Sequence, residues 1–425
     1  MALIGVTHRG RRLWRVPSPP PDEEWVYQLA IPFQLSPTEL GLAVNVRRGS
    51  VRTVDLEVGS DLVILDRLEP DGGERAAPLN RAHLGPHPRT GRSVLFARYP
   101  VVGGFVPVGA RRADGSPHPH AGTGFGLSQV IAFPTDRTVG GHWELPEEEQ
   151  YHALEVQQYR YDGARFEVVT AEMVPVDDWL PGWRRAAPGL CAAIPDGGDL
   201  LQAVSAARGD GPGGTGVLRW QRRGTAWQPD GYTPVTPADI SYEPTLVRDR
   251  DGALLFTARG GGPEQDAIRL WRSTDGGHAW ERILHLPGRR SETPVSLNCA
   301  ADGSLYVAGS PAREVDSRGR ALSSVEMREM LLLWPLADDR HGLQEPLVAR
   351  DCLAEFGPAA AGSIWRADHP VGLTARLADG QWHHVLCYRV LDREECVGDR
   401  AVTPRTGTYV EEVFSDGAAA EMWRF

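Results

Sequence analysis

Two residues that can do chemistry together flank a predicted hairpin in the middle of the chain. The segments YEPTLVR and GALLFTAR read as consecutive strands, because the Asp251-Gly252 pair between them favours a tight turn. Glu243 opens the first strand and Arg259 closes the second, so antiparallel pairing brings both side chains to one edge. On a surface they form an ordinary ion pair that contributes little stability. If that edge faces a central pocket, a carboxylate and a guanidinium lie side by side within it.

A second candidate is the dipeptide Asp368-His369, which precedes Pro370 and is therefore expected to be extended. Histidine titrates near neutral pH, and a neighbouring carboxylate can orient its ring or raise its pKa. These residues are candidates for acid–base catalysis. The alternative is that Asp368 stabilises a loop and His369 is an ordinary hydrogen-bonded side chain.

Two further histidines, His118 and His120, lie in the segment DGSPHPHAGTGFG. They are separated by one residue, so on a strand they point the same way, which suits a metal. Flanking prolines and the lack of an obvious third ligand argue against one. We therefore predict no metal and no cofactor, and we assign both histidines to substrate binding. The GTGFG motif lacks the strand–helix context of a nucleotide site.

The elements that must position these residues are short strands separated by turn signals. Asp-Gly pairs punctuate most of the sequence, at 114-115, 162-163, 196-197, 230-231, 251-252, 275-276, 302-303, 379-380 and 416-417. Capped amphipathic helices are scarce, so the pattern predicts an all-β fold. We predict one domain over residues 1–425, built as a β-propeller, because radial repetition buries many short sheets. The signal is weaker early in the chain, where we expect long loops at about residues 70–150.

Composition excludes several classes of protein. The net charge is −11 and no basic block stands out, so we expect no binding to nucleic acid. No apolar run is long enough to span a bilayer, and the N-terminus lacks the apolar core of a signal peptide. Five scattered cysteines without a CxxC pair argue against a disulfide framework. We expect a cytoplasmic protein that has no contact with membranes.

One hairpin carries a family motif. In RSTDGGHAWERI the residues Ser273, Asp275, Gly277 and Trp280 resemble the Asp-box of sialidases and related propellers, S-x-D-x-G-x-x-W. The resemblance implies a sialidase-like propeller of six blades, with seven as the alternative. In that superfamily the Asp-box is structural, and many members that are not enzymes carry it.

The Glu243–Arg259 hairpin resembles the sialidase segment in which a glutamate precedes a strand and an arginine follows DG-x-L-L. In sialidases this glutamate polarises a nucleophilic tyrosine, and the arginine belongs to a triad that binds the substrate carboxylate. The resemblance therefore implies these roles for Glu243 and Arg259.

Two other segments resemble those that supply the remaining arginines of the triad. WRVPS resembles the family's YRIP and implies Arg15, whereas the stretch before EMLLLW implies Arg328, with Arg320 as the substitute. Three planar guanidinium groups around one point match a carboxylate and can hold an anionic sugar.

The sequence departs from the family where the nucleophile is expected. No tyrosine stands before Asp379-Gly380, and Asp368-His369 occupies that place. We also find no general-acid aspartate at the usual distance after Arg15. The resemblance therefore predicts a glycoside hydrolase for a terminal, carboxylate-bearing sugar, with Glu243, Asp368 and His369 as its acid–base set. The alternatives are a polysaccharide lyase that acts on uronates with a histidine base, and a non-catalytic glycan-binding propeller.

Overall fold

The computed structural model describes residues 3–6, 11–13, 26–48, 57–68, 74–112, 114–137, 139, 144–208, 213–236, 241–312, 328–359, 365–391 and 405–415. Within these residues the chain forms six antiparallel sheets of four to six strands each. They form the blades of a six-bladed β-propeller, which confirms the predicted fold class, and the alternative of seven blades is wrong.

The ring is closed by strands from both ends of the described chain. Two short N-terminal strands, β1 and β2, pair with the last strand, β28, in blade 6. Leu13 in β2 is buried among residues of blades 1 and 6, so closure also extends the core. The two strands span Leu3–Val6 and Arg11–Leu13.

Blades 1 to 3 occupy the first half of the chain, and blade 2 is the most elaborate. Two successive strands, β8 and β9, pair with different halves of β10, and β7 extends the sheet beyond β8. Blade 1 contains β3 (Val26–Ser36), β4 (Glu39–Arg48), β5 (Glu57–Leu65) and β6 (Glu74–Arg81). Blade 2 contains β7 (His83–Pro86), β8 (Ser93–Arg98), β9 (Val102–Val106), β10 (Thr123–Pro134), β11 (His152–Tyr161) and β12 (Phe166–Pro175). Helix α1 (Val176–Trp179) leads to blade 3, with β13 (Arg185–Pro188), β14 (Ile194–Asp196), β15 (Asp199–Ala207), β16 (Gly213–Arg223) and β17 (Ala226–Pro234).

Blades 4 and 5 are four-stranded meanders, and blade 6 is a three-stranded meander that the closing strands β1 and β2 complete. Blade 4 contains β18 (Ser241–Arg248), β19 (Leu254–Gly260), β20 (Ile268–Ser273) and β21 (Glu281–Leu286), with a 3-10 turn at Gly262–Glu264. Blade 5 contains β22 (Ser296–Cys299), β23 (Leu305–Gly309), β24 (Met330–Pro335) and β25 (Leu347–Asp351), followed by helix α2 (Cys352–Phe356). Blade 6 contains β26 (Arg366–Arg376), β27 (Trp382–Leu391) and β28 (Gly407–Ser415).

The Asp-box residues form the turn between β20 and β21. The Ser273 hydroxyl donates to the Asp275 carboxylate over 2.7 Å and accepts the Gly277 N–H over 2.9 Å. The Trp280 indole N–H then donates to the Gly277 carbonyl over 3.1 Å. Gly276 and Gly277 have φ values of 76° and 92°, which side chains with a Cβ adopt at a cost.

The inner strands surround a channel that is plugged at its middle. Apolar side chains from four blades, those of Leu29, Ile31, Val102, Leu190 and Val371, form one buried cluster there. Some of these residues line a hollow where the inner strands begin, and others line a second hollow near their ends. Among the described residues, no helix has the length and apolar character needed to cross a membrane.

Candidate active site

The first hollow, here called the site hollow, has a volume of about 250 Å³ and lies where the inner strands begin. Its polar lining comes from four blades: Gln28, Asn45, Tyr99, Gln129, Glu243, His369 and Arg389. Residues from distant parts of the sequence meet here because blades 1, 4 and 6 present the start of their first strands to the same end of the channel, and blade 2 presents the segment between β8 and β9.

Glu243 lies in a bulge of β18, next to Pro244. The register with β19 shifts between Tyr242 and Thr245, and Glu243 has a φ of 46°, in the left-handed region. A proline has no N–H for the ladder, so a bulge on the innermost strand accommodates it. The bulge directs Glu243 towards Arg259, whose Nη1 donates to the Glu243 carboxylate over 3.1 Å.

Asp368 and His369 occupy the matching bulge of blade 6, in β26 beside Pro370. The register shifts between Asp368 and Val371, and His369 has a φ of 54°, so the expected extended conformation before Pro370 is wrong at His369, where the bulge imposes a left-handed one. The His369 Nδ1 lies 2.8 Å from the Asp368 carboxylate. Arg328 and Arg389 also donate to this carboxylate, which is 1% exposed.

The neighbours fix the protonation states of the pair. Burial alone would raise the pKa of Asp368, but Arg389, His369 and Arg328 hold that pKa well below its usual value. An ionised carboxylate can only accept, so the proton of the neutral imidazole is on Nδ1. Burial, reinforced by Arg389, lowers the pKa of His369 despite the opposite influence of Asp368 and Glu243. His369 is therefore a neutral base whose free lone pair is on Nε2.

That free nitrogen lies near a second carboxylate. The distance from His369 Nε2 to the Glu243 carboxylate is 3.9 Å. Burial alone would raise the pKa of Glu243, but the charge and hydrogen bond of Arg259, with a further contribution from Arg328, lower it, so Glu243 is ionised. If His369 gains a proton, the resulting imidazolium lies between two carboxylates, an arrangement that stabilises positive charge as it forms.

The arginines around the hollow are already paired with carboxylates. Arg328 donates to Asp368 and exposes 7% of its side chain, whereas Arg259 contacts Glu243 and Glu292. Arg389 also donates to Asp368, but its side chain lines the site hollow and its Nη1 lies 3.5 Å from the side-chain oxygen Oε1 of Gln28. Of these three arginines, Arg389 is the one that lines the hollow.

Five of the residues singled out in the sequence come together here: Glu243, Arg259, Arg328, Asp368 and His369. Arg15 and the substitute Arg320 lie outside the described residues. The structure does not bring His118 and His120 to the site hollow. They lie in the loop after β9, at the end of an inner strand, where the His120 ring is 5.8 Å from that of Trp227.

Sequence reasoning missed Arg389 and Gln28. Arg389 faces Asp368 across the β26–β27 hairpin, as Arg259 faces Tyr242 in blade 4. Antiparallel pairing around Asp251-Gly252 identified Arg259. The same pairing around the Asp379-Gly380 turn identifies Arg389. Gln28 is 2% exposed, and no nearby motif marks it.

The described residues contain no group of three or more His, Cys, Asp or Glu side chains arranged to hold a metal ion. The site as described consists of acid–base and hydrogen-bonding groups, without a set of metal ligands.

Comparison with solved structures identifies similar propellers. A protein of unknown function from Dyadobacter fermentans DSM 18053 has a TM-score of 0.55 at 14% identity, with 96% of this chain and 98% of that chain covered. The Hadza microbial sialidase Hz136 has a TM-score of 0.53 at 12% identity, with 89% and 66% covered. The intramolecular trans-sialidase from Ruminococcus gnavus has a TM-score of 0.51 at 12% identity, with 93% and 96% covered.

The chain has a sialidase-like propeller fold. No protein-family model matches the sequence, and no curated protein matches it. At these identities the likeness establishes the sialidase-like fold alone, so the chemistry has to be argued from the site.

Proposed function

We propose that the protein is a glycoside hydrolase that cleaves a terminal sugar bearing a carboxylate. The observation that carries this proposal is the position of His369, a neutral base held by Asp368, with its free nitrogen 3.9 Å from Glu243. A base flanked by two carboxylates suits the removal of a proton from water as that water attacks the anomeric carbon.

In this proposal the three acid–base residues divide the work. His369 accepts the proton of water, and Asp368 fixes its tautomer and ring orientation. Glu243 stabilises the imidazolium. As the water oxygen bonds to the anomeric carbon, the bond to the leaving-group oxygen breaks, that oxygen takes up a proton from solvent, and the imidazolium later returns its own proton to solvent. Arg328 acts indirectly, because its positive charge lowers the pKa of Asp368 and keeps that carboxylate ionised.

We assign the sugar carboxylate to Arg389. Its guanidinium lines the site hollow, whereas Arg328 is covered by Asp368. Gln28 lies beside Arg389 in the wall of the hollow, and its buried amide nitrogen has no hydrogen-bond partner among the described residues. A neutral histidine in place of a carboxylate nucleophile also avoids repulsion with an anionic sugar.

A polysaccharide lyase is the second candidate, and the low pKa of His369 favours it. Before reaction, both His369 Nε2 and the Glu243 carboxylate are proton acceptors. Elimination from a uronate begins with removal of the proton next to the sugar carboxylate, which a neutral histidine can accept.

The cytoplasmic location stays a prediction from the sequence.

The test compares matched substrates. The protein is incubated with the 4-methylumbelliferyl glycosides of N-acetylneuraminic acid, glucuronic acid and glucose, and separately with oligogalacturonate. We expect release of methylumbelliferone from an acidic glycoside, at least about tenfold faster than from the glucoside, which lacks a carboxylate. Ultraviolet absorbance from an unsaturated product without hydrolysis would instead identify a lyase. Binding without turnover of any probe would mean that the propeller is non-catalytic.

A further inference from the structure

A different hollow, here called the interblade groove, lies between the outer strands of blades 2 and 3 and away from the channel. It has a volume of about 360 Å³ and shares no lining residue with the site hollow. Its walls come from β11 and β12 on one side and from β16 and β17 on the other. Gln158 joins the walls, because its amide exchanges hydrogen bonds of 2.8 Å and 3.1 Å with the backbone of Trp227.

Three tryptophans line this groove: Trp179, Trp220 and Trp227. None of their indole N–H groups has a hydrogen-bond partner among the described residues. Trp220 and Trp227 are buried in the core beneath the groove, whereas Trp179 is partly exposed, and an exposed indole face suits the apolar face of a sugar. The glutamate at the groove, Glu172, adds an acceptor for sugar hydroxyls.

Two arginines give the groove its charge. Arg160 and Arg222 both line it, and within the described part of the chain neither forms an ion pair. Burial and the nearby Arg160 lower the pKa of Arg222. The neighbouring Arg223, by contrast, lies 2.7 Å from Asp230. Two close guanidinium groups without a carboxylate partner suit a bound anion.

We propose that the interblade groove is a second carbohydrate-binding site, which takes a carboxylate-bearing saccharide. The partly exposed ring of Trp179 contacts its sugar rings, and Arg160 and Arg222 hold its carboxylate. His120 borders the same corner, with its ring 5.8 Å from that of Trp227. The inference is independent of the proposed hydrolysis, because it requires binding and no turnover.

The test uses protein labelled with 5-fluorotryptophan, carrying His369→Gln to prevent turnover of the probes. Fluorine NMR signals of Trp179 and Trp227 are assigned with Trp179→Phe and Trp227→Phe. Trigalacturonate and 3′-sialyllactose are the acidic probes, and lactose is the neutral one. We expect an acidic probe to shift both signals. Arg222→Gln should weaken its binding at least about tenfold, the loss of one charge-assisted hydrogen bond.

Arg223→Gln is the matched control, since this arginine lies on the same strand but pairs with Asp230, and it should bind like the parent. Arg160→Gln, at an exposed position, provides a second test if Arg222→Gln fails to fold. The proposal is wrong if neither signal shifts, if lactose shifts them equally, or if both arginine variants bind the acidic probe as the parent does.

Discussion

His369 connects the electrostatics of the site to its chemistry. Its Nδ1 lies 2.8 Å from Asp368, and that carboxylate is fixed in turn by Arg328 and Arg389. The ring is therefore held in one tautomer, with Nε2 as its basic atom. A histidine that is neutral at rest and flanked by carboxylates is suited to gain a proton during a reaction.

The pH dependence of activity follows from this arrangement. Because the pKa of His369 lies below 6.5, kcat/KM should be level at neutral pH and fall as pH drops through that lower value. Asp368 raises this pKa, so Asp368→Asn should move the acidic limb to lower pH and also lower the plateau. The check is a pH profile of kcat/KM on whichever aryl glycoside the protein cleaves.

The matched control for this profile is Asp379→Asn, which alters a carboxylate 2.9 Å from His383 in the same sheet. It should leave the profile unchanged. An acidic limb that stays in place in the Asp368→Asn variant would contradict the assigned role of His369.

At the scale of single residues, the sequence predicted the groups that local patterns mark. Glu243 and Arg259 follow from the hairpin around Asp251-Gly252, and Asp368-His369 from the place before Asp379-Gly380. Contacts between blades form only when the propeller closes, so they leave no local pattern in the sequence. The bond between Arg328 and Asp368 joins blades 5 and 6 across 40 residues, so it could not be read from spacing.

The site is positioned by two bulges at equivalent places in blades 4 and 6. In each, a residue with positive φ precedes a proline: Glu243 before Pro244 and His369 before Pro370. A left-handed conformation costs a residue with a Cβ about 1–2 kcal/mol. The rest of the blade holds this strain, and the two side chains consequently approach each other across the channel.

This strain predicts an unusual order of stabilities. Glu243→Ala and Glu243→Gly both remove the carboxylate, but only glycine relieves the backbone. The glycine variant should have a free energy of unfolding about 1 kcal/mol higher than the alanine variant. Chemical denaturation of both proteins measures the difference.

Thr245, two residues along the same strand, is the control because its φ is not positive. There the order should reverse, with Thr245→Gly less stable than Thr245→Ala by about 0.5–1 kcal/mol. Equal stabilities of the two Glu243 variants would mean that the bulge stores no strain.

The β20–β21 hairpin, whose residues resemble an Asp-box, lies at the end of blade 4 opposite to Glu243. Ser273→Ala removes one donor and leaves the Gly277 N–H without its acceptor. The free energy of unfolding should fall by about 1–3 kcal/mol, whereas kcat/KM should stay within about twofold. Denaturation and kinetics on the same preparation test this. A parallel loss of activity would show that the hairpin supports the site.

At the scale of the whole molecule, the fold could be predicted because turn chemistry repeats. Asp-Gly pairs lie between the strands of the later blades, as at Asp251-Gly252 and Asp379-Gly380, where the predicted hairpins form. The early chain was harder to interpret, because two successive strands of blade 2, β8 and β9, pair with different halves of β10. The region of about residues 70–150 thus contains strands β6 to β10 as well as loops.

The likeness to sialidases extends over most of the chain and leaves the chemistry open. A fold of this kind hosts different reactions, so function depends on the site rather than on the architecture. The sequence resemblance predicts that Asp368-His369 stands where the sialidase pattern has a tyrosine, and substitutions of His369 test this difference.

The most direct test of the proposal compares wild-type protein with His369→Gln on the acidic aryl glycoside that the wild type cleaves fastest. Loss of the base should lower kcat/KM by about 10²–10⁴-fold while the circular dichroism spectrum stays unchanged. His383→Gln, which alters a histidine paired with Glu412 and Asp379, should retain wild-type activity. Turnover by His369→Gln within about threefold of wild type would contradict the acid–base role on which the proposed function rests.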